Sequence, residues 1–115
     1  MATLYGIKNC DTMKKARAWL DEHDIAYDFH DYKAKGIDRA RLERWIAQVG
    51  WETLLNRGGT TFRKLPEAER ADPTERKAIA WMLAQPSMIK RPVLEVGRQL
   101  VVGFKPHVYA ATFSQ

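Results

Sequence analysis

The order of apolar and polar residues predicts a β-α-β unit at the start of the chain. An apolar run from Ala2 to Ile7 is typical of a strand, and aromatic residues alternate with polar ones from Tyr27 to Asp31. Between these segments, Met13, Ala16 and Leu20 recur at spacings of three and four, which is the periodicity of an amphipathic helix. We therefore expect a strand, a helix and a strand, with the helix packed on the core.

Helical patterns fill the middle of the chain. The apolar positions of the first helix there are Leu42, Trp45, Ile46 and Val49. Asp38 supplies an N-cap before them, and Gly50 ends the helix. A second helix is predicted to begin with Asp72 as its N-cap and to end before Pro86. The middle of the chain is therefore expected to be an all-helical insertion.

Two short strands and a helix are predicted for the last part of the chain. The segments Val93 to Val96 and Gln99 to Val102 are separated only by Gly97-Arg98, so they should pair as an antiparallel hairpin with a type II′ turn. Pro106 then opens a last helix. Strands and helices in this order predict the α/β class.

The composition fits one domain. With 115 residues, 45% of them hydrophobic and 29% charged, the chain is long enough for one core and too short for two ordinary domains. The first residues lack a basic segment followed by an apolar one, and no apolar run approaches the roughly 18 residues of a membrane span. We therefore expect a soluble cytoplasmic protein that is not embedded in a membrane, with a monomer as the default.

The formal net charge of +5 raises the question of nucleic-acid binding. The 19 basic residues are mixed with 14 acidic ones, and no stretch combines a long basic run with interleaved aromatic residues. We therefore expect a solvated surface and no nucleic-acid partner. A basic pocket for a small anion or for an acidic peptide such as glutathione remains open.

Cys10 is the only cysteine, and it lies where the first strand gives way to the first helix. Backbone N–H groups at a helix N-terminus stabilise a thiolate, and Lys8, Lys14 and Lys15 add positive charge nearby. The alternative is a buried structural cysteine that behaves as a small hydrophobic residue. With one cysteine the chain has no internal disulfide, so redox chemistry would need the thiol of a second molecule.

Candidate metal ligands are few and scattered. One cysteine and three histidines, at positions 23, 30 and 107, form none of the usual ligand spacings. We therefore expect no metal site, and we interpret each histidine as a surface or packing residue.

The Arg91-Pro92 step comes just before the predicted hairpin. An X-Pro bond is the one peptide bond for which the cis form costs little, and a cis-proline here would present Arg91 towards Cys10. The alternative is an ordinary trans proline at the start of an edge strand.

Several short motifs together resemble the ArsC/Spx family of thioredoxin-like proteins, and the YffB-type subgroup most closely. The motifs are Tyr5-Gly6-Ile7-Lys8-Asn9-Cys10, Leu54-Leu55-Asn56-Arg57, Lys90-Arg91-Pro92 and Gly103-Phe104-Lys105-Pro106. They occur in the family's order and spacing over essentially the whole chain.

The resemblance implies a thioredoxin-like βαβ and ββα core with a helical insertion. It implies one ArsC/Spx-like domain, with the core at about residues 1–33 and 88–115 and the insertion at about residues 37–87. It also implies that Cys10 is the nucleophile, and that Arg91, before a cis Pro92, binds the anionic substrate.

The chain lacks residues that are typical of two activities known in the family. Arsenate reductases have a histidine four residues before the nucleophile and three arginines around the oxyanion. Here Gly6, Asn56 and Lys105 replace the histidine and two of the arginines. A lysine lacks the bidentate fork of arginine, so the pocket should hold an oxyanion less well. Many Spx-type regulators use a C-x-x-C pair, and Met13 occupies its second position.

We therefore hypothesise a glutathione-dependent thiol-disulfide reductase with a single nucleophilic cysteine. The expected anion-binding residues are Lys8, Asn9, Arg57, Arg91 and Lys105. No bound cofactor is expected, and glutathione or a glutathionylated substrate would be the partner. The alternatives are an arsenate reductase and a non-enzymatic Spx-like adaptor that binds RNA polymerase.

Overall fold

The computed structural model describes residues 2–114 of the chain. The strands are β1 (Ala2–Gly6), β2 (Tyr27–Asp31), β3 (Val93–Val96) and β4 (Gln99–Val102). The helices are α1 (Asp11–Glu22), α2 (Tyr32–Lys35), α3 (Arg39–Val49), α4 (Trp51–Leu54), α5 (Thr60–Arg63), α6 (Glu67–Arg70), α7 (Glu75–Ala84) and α8 (Pro106–Phe113), with a 3₁₀ turn at Pro86–Met88.

The chain divides into two compact units. Residues up to Lys35 and residues from Arg91 onward form one unit, here called the sheet unit. Residues Gly36–Lys90 form the other, here called the helical unit. All four described strands belong to the sheet unit.

The strands form one mixed sheet in the order β2-β1-β3-β4. β1 pairs in parallel with β2 and antiparallel with β3, and β3 pairs antiparallel with β4. The turn between β3 and β4 is the predicted hairpin turn, and Gly97 has the positive φ of 57° that its first position requires. The carboxyl ends of β1 and β2 therefore meet the start of β3 at one end of the sheet.

One face of the sheet carries the core of the sheet unit. Leu4 on β1 lies opposite Leu94 on β3, and both are fully buried. The core cluster that contains them also includes Met13, Ala16 and Leu20 from α1 and Tyr109 from α8. Burying one such leucine contributes about 1.5–3 kcal/mol relative to leaving it exposed. The periodicity that predicted α1 is thus explained by its packing on this face.

The opposite face of the sheet carries polar and aromatic side chains. Tyr5 is buried and donates a hydrogen bond from its hydroxyl to Glu95 Oε1, at 3.1 Å. Its ring centroid lies 4.8 Å from that of His30 and 6.4 Å from that of Tyr32. The alternation of β1 therefore places an apolar core on one side and a tyrosine cluster on the other.

The helical unit has its own small core. Leu42 and Trp45 of α3 are fully buried, and the Asp38 side chain accepts a hydrogen bond from the N–H of Arg41 at 2.7 Å, as predicted for its N-cap. Backbone hydrogen bonds from Asn56 N–H to Met88 C=O and from Lys90 N–H to Leu54 C=O, both 2.8 Å, join the segment at the end of α4 to the last residues of the unit.

The predicted N-cap of the next long helix was wrong. Thr74, not Asp72, caps α7, because its hydroxyl accepts a hydrogen bond from the N–H of Lys77 at 3.2 Å. Asp72 has a φ of +50°, which lies in the left-handed region rather than the extended region that an N-cap adopts. The Lys77 ammonium instead donates to the carbonyls of Ala71 and Asp72 at 2.9 and 3.3 Å. The chain therefore turns at Asp72 before the helix begins.

Candidate functional site

Cys10 is the N-cap residue of α1. Its backbone is extended, with φ −137° and ψ 130°, and its carbonyl accepts a hydrogen bond from Lys14 N–H at 3.0 Å. The side chain is partly exposed. This position puts the sulfur beside the free N–H groups of the first helical turn, as the strand-to-helix junction in the sequence indicated.

The surroundings of Cys10 favour its thiolate. Partial burial raises the pKa of the thiol, but the backbone N–H groups of Met13 and Thr12 and the side chain of Arg91 lower it, and the net effect is a pKa below the ordinary value. The N–H groups act through their partial positive charge, because the sulfur forms no cap hydrogen bond of standard geometry. A cysteine with these neighbours is a better nucleophile at neutral pH than an ordinary one.

The pairing between β1 and β3 places Arg91 near Cys10. Tyr5 lies opposite Val93, so the residues just before β3 lie at the end of the sheet from which the chain runs on to Cys10. The Arg91-Pro92 peptide bond is cis, which was one of the two forms that the sequence left open. Arg91 is half-buried, and its positive charge lowers the pKa of Cys10.

Lys8, Asn9 and Lys105 lie exposed in the sheet unit. Lys8 and Asn9 precede Cys10 in the loop after β1, and Lys105 is the N-cap residue of α8. A hydrogen bond of 2.8 Å from Gly103 N–H to Pro92 C=O ties the segment before Lys105 to the cis-proline. Their role in anion binding stays a prediction.

Arg57 belongs to the helical unit. Its guanidinium carbon lies 5.2 Å from the ring centroid of Trp51, and its Nη2 lies 3.9 Å from Glu52 Oε2. The side chain is about half exposed, so both contacts are weak ones. Binding of an anion by Arg57 also stays a prediction.

The sequence interpretation missed Tyr32. This residue directly follows β2, and its side chain is 3% exposed. Its hydroxyl forms no hydrogen bond with any other group of residues 2–114. Burial and the neighbouring Tyr5 raise the pKa of Tyr32, whereas the charge of Arg91 lowers it. The position of Tyr32 after a strand parallel to β1 was the signal that would have placed it near Cys10.

Within residues 2–114, no group of three or more histidine, cysteine or acidic side chains is arranged to hold a metal ion. Over the same residues, the helices are too short or too polar for any of them to cross a membrane.

The chain is similar in sequence and fold to several known proteins. The model of the ArsC family matches residues 5–112. A solved structure of a YffB protein is 69% identical and covers 99% of this chain and 100% of its own, with a TM-score of 0.95. An arsenate reductase (ArsC) related protein from Brucella melitensis is 60% identical over 99% of this chain and 95% of its own, with a TM-score of 0.79. The global transcriptional regulator Spx of Streptococcus mutans is 26% identical over 90% of this chain and 77% of its own length.

The mixed sheet, the cis-proline and the cysteine at the start of α1 define a thioredoxin-like α/β protein, which confirms the predicted fold class. The chain belongs to the ArsC family, and its resemblance to the YffB-type subgroup is confirmed as well.

Proposed function

We propose that this protein is a thiol-disulfide reductase in which Cys10 is the nucleophile and glutathione is the co-substrate. The observation that carries the proposal is the position of Cys10 as the N-cap residue of α1, where the N–H groups of the first turn and the side chain of Arg91 lower its pKa. A thiolate of this kind attacks sulfur in a disulfide, and the family contains proteins related to arsenate reductases.

The proposed reaction has two exchange steps. The Cys10 thiolate attacks the glutathione sulfur of a glutathionylated thiol, the S–S bond breaks, and the substrate leaves as a thiolate that takes a proton from solvent. Cys10 is then joined to glutathione. The thiolate of a second glutathione attacks that glutathione sulfur, which releases the Cys10 thiolate and oxidised glutathione. The substrate thiol is reduced, and the second glutathione is oxidised, because its sulfur forms a disulfide with the glutathione that came from the substrate.

Two features support glutathione as the external thiol. Cys10 is the only cysteine in the chain, so the mixed disulfide has no resolving thiol within the same chain. Glutathione carries two carboxylates, and we propose that Arg91, Lys8 and Lys105 pair with them, assisted by Asn9. A reduced, single-cysteine protein also fits the cytoplasm.

Intact mass spectrometry tests the proposal directly. After exposure to oxidised glutathione, the wild-type chain should gain the mass of one glutathione, and added reduced glutathione should remove it. The Cys10→Ser variant should gain nothing. An Arg91→Lys variant should form the adduct more slowly, because a lysine lacks the fork that approaches the sulfur. The proposal fails if the wild-type chain forms no adduct under conditions in which free cysteine does.

A regulatory adaptor is the second candidate, and the Spx relative favours it. In this reading the chain would bind RNA polymerase without catalysis. Because Met13 occupies the position of the second Spx cysteine, such an adaptor would work without a disulfide switch. Retention of RNA polymerase on immobilised chain, equal for wild-type protein and Cys10→Ser, would support the adaptor.

Arsenate reduction is the remaining alternative within the family. The Brucella relative is described as related to arsenate reductases. Glycine at position 6 and lysine at position 105 weaken the case for an oxyanion substrate. Consumption of arsenate in the presence of glutathione, lost in Cys10→Ser, would support this alternative.

A further inference from the structure

We infer that the hydroxyl of Tyr32 and the guanidinium of Arg91 together form one anion-binding subsite beside Cys10, which takes a carboxylate of the molecule that reacts with the thiol. The inference rests on the proposed function for the reaction at Cys10. It adds to that function a binding residue and a place for the negative charge of the substrate.

The sheet brings these residues to one place. β1 and β2 are parallel, with Gly6 opposite Asp31, so Tyr32 and the loop that leads to Cys10 both leave the same end of the sheet. β3 starts at this end as well, immediately after Arg91. The Arg91 charge acts on both Cys10 and Tyr32, so its guanidinium lies within electrostatic reach of both.

The hydroxyl of Tyr32 is the part of this cluster that the folded chain does not explain. The residue is 3% exposed and its oxygen forms no hydrogen bond in the described part of the chain, whereas Tyr5 beside it donates to Glu95. A buried hydroxyl without a partner destabilises the folded chain, because it has lost its hydrogen bonds to water. Buried polar groups without partners in native structures call for an explanation, and binding of a ligand is one.

The chemistry of the two groups selects the ligand. Tyr32 stays protonated over the whole physiological range, because burial raises its pKa, so its hydroxyl serves as a donor. Arg91 offers only donors and a positive charge. Two donors with one charge suit an anion with two oxygen acceptors, which a carboxylate provides.

Two alkylating reagents of similar size separate the charge of the reagent from the reactivity of the thiol. Iodoacetate and iodoacetamide both add a two-carbon group to the Cys10 thiolate with loss of iodide, but only iodoacetate carries a carboxylate. Tyr32→Phe should lower the ratio of the iodoacetate rate to the iodoacetamide rate by about tenfold to a hundredfold, as expected for a lost hydrogen bond to a charged group. The iodoacetamide rate should change by less than about twofold, because that rate reports the thiolate alone.

Tyr109→Phe is the matched control. Tyr109 is also fully buried, and its hydroxyl has no hydrogen-bond partner among the residues that the structure describes, but its pKa is raised by burial alone, without a contribution from Arg91. Its substitution should leave the rate ratio unchanged. An equal fall in the ratio for both variants, or no fall for Tyr32→Phe, would overturn the subsite. A Tyr32→Phe variant that does not fold would also overturn it, since the hydroxyl would then have a structural partner.

The failure of the subsite can be distinguished from that of the proposed function. A wild-type chain that forms the glutathione adduct, together with an unchanged ratio in Tyr32→Phe, leaves the reductase in place and removes the subsite. A chain that forms no adduct but shows the fall in the ratio retains the subsite and rules out glutathione as its occupant.

Discussion

Met13 fills the space that a side chain at position 6 would occupy. A Cβ built on Gly6 would overlap the sulfur and the terminal methyl of Met13, which is itself fully buried. These are the two positions at which arsenate reductases have a histidine and Spx regulators have a second cysteine. Gly6 and Met13, the two residues that differ from these family patterns, are therefore in contact.

This contact predicts that Gly6→Ala destabilises the protein. Extra atoms in a packed core typically cost about 1–3 kcal/mol, and the flexible thioether will absorb part of that cost. Urea denaturation should show the loss in the free energy of unfolding. In a Met13→Ala background the added cost of Gly6→Ala should nearly vanish, because the sulfur is gone.

Gly58→Ala is the control for this measurement. A Cβ there would meet only the Asn56 side chain at 3.8 Å, an ordinary contact. Its effect on the free energy of unfolding should lie within about 1 kcal/mol of zero. Equal costs for the alanines at positions 6 and 58 would contradict the packing argument.

The pKa of Cys10 predicts how stability depends on pH. The folded state lowers this pKa, so the thiolate stabilises the folded chain fully above the unfolded value of about 8.5. That contribution is lost as the pH falls through the lower folded pKa. The free energy of unfolding of the wild type, minus that of Cys10→Ser, should therefore increase with pH across this window. A difference that stays flat or decreases would contradict the lowered pKa.

Arg91 should account for part of that lowered pKa. Its side chain approaches the Cys10 sulfur and contributes both charge and hydrogen bonding. In Arg91→Met the midpoint of thiolate absorbance near 240 nm should move to higher pH than in the wild type. Arg98→Met removes an exposed charge from the hairpin turn and should leave the midpoint in place. If the midpoint of thiolate absorbance is the same in the two variants, the lowered pKa of Cys10 results from the net charge of the protein and not from Arg91.

The corrected N-cap of α7 gives a prediction about stability alone. Thr74→Ala removes the hydroxyl that accepts from Lys77 N–H and should cost about 1 kcal/mol in thermal or chemical unfolding. Asp72→Asn keeps a residue that tolerates the left-handed backbone and should be nearly neutral. The reverse ranking of the two variants would restore Asp72 as the cap.

The hydrogen bond between Tyr5 and Glu95 can be tested in the same way. Tyr5→Phe leaves the ring in place but removes the donor from a half-buried carboxylate, at a cost of about 1.5–3 kcal/mol. Glu95→Gln retains an acceptor at that position, so its cost should be smaller. A neutral Tyr5→Phe would show that solvent replaces the tyrosine at Glu95.

Periodic patterns predicted the long elements of the fold but not the short ones. α1 and α3 bury residues at spacings of three and four, and β3 and β4 flank a two-residue turn, so each carries a signal within its own sequence. The helices α2, α5 and α6 have four residues each, which is about one turn and too short for a period to appear. The cap at Thr74 was missed because Asp72-Pro73 offered an equally good start.

The candidate site could be predicted only in part from the sequence, and the reason differs from that for the short helices. The position of Cys10 at a helix start depends on neighbouring residues, whereas its proximity to Arg91 depends on the pairing of β1 with β3. The residues next to Tyr32 in the sequence do not mark it as a binding residue. Only the folded structure shows that its buried hydroxyl has no hydrogen-bond partner among residues 2–114. Local patterns do not encode such relationships.

The central position of β1 makes the environment of Cys10 depend on a contact between distant parts of the sequence. β2 follows β1 after a single helix, whereas β3 begins only at Val93. A fragment that ends before Arg91 would keep Cys10 but would lack the charge that lowers its pKa. The thiol of such a fragment should therefore be a weaker nucleophile at neutral pH than the thiol of the folded chain.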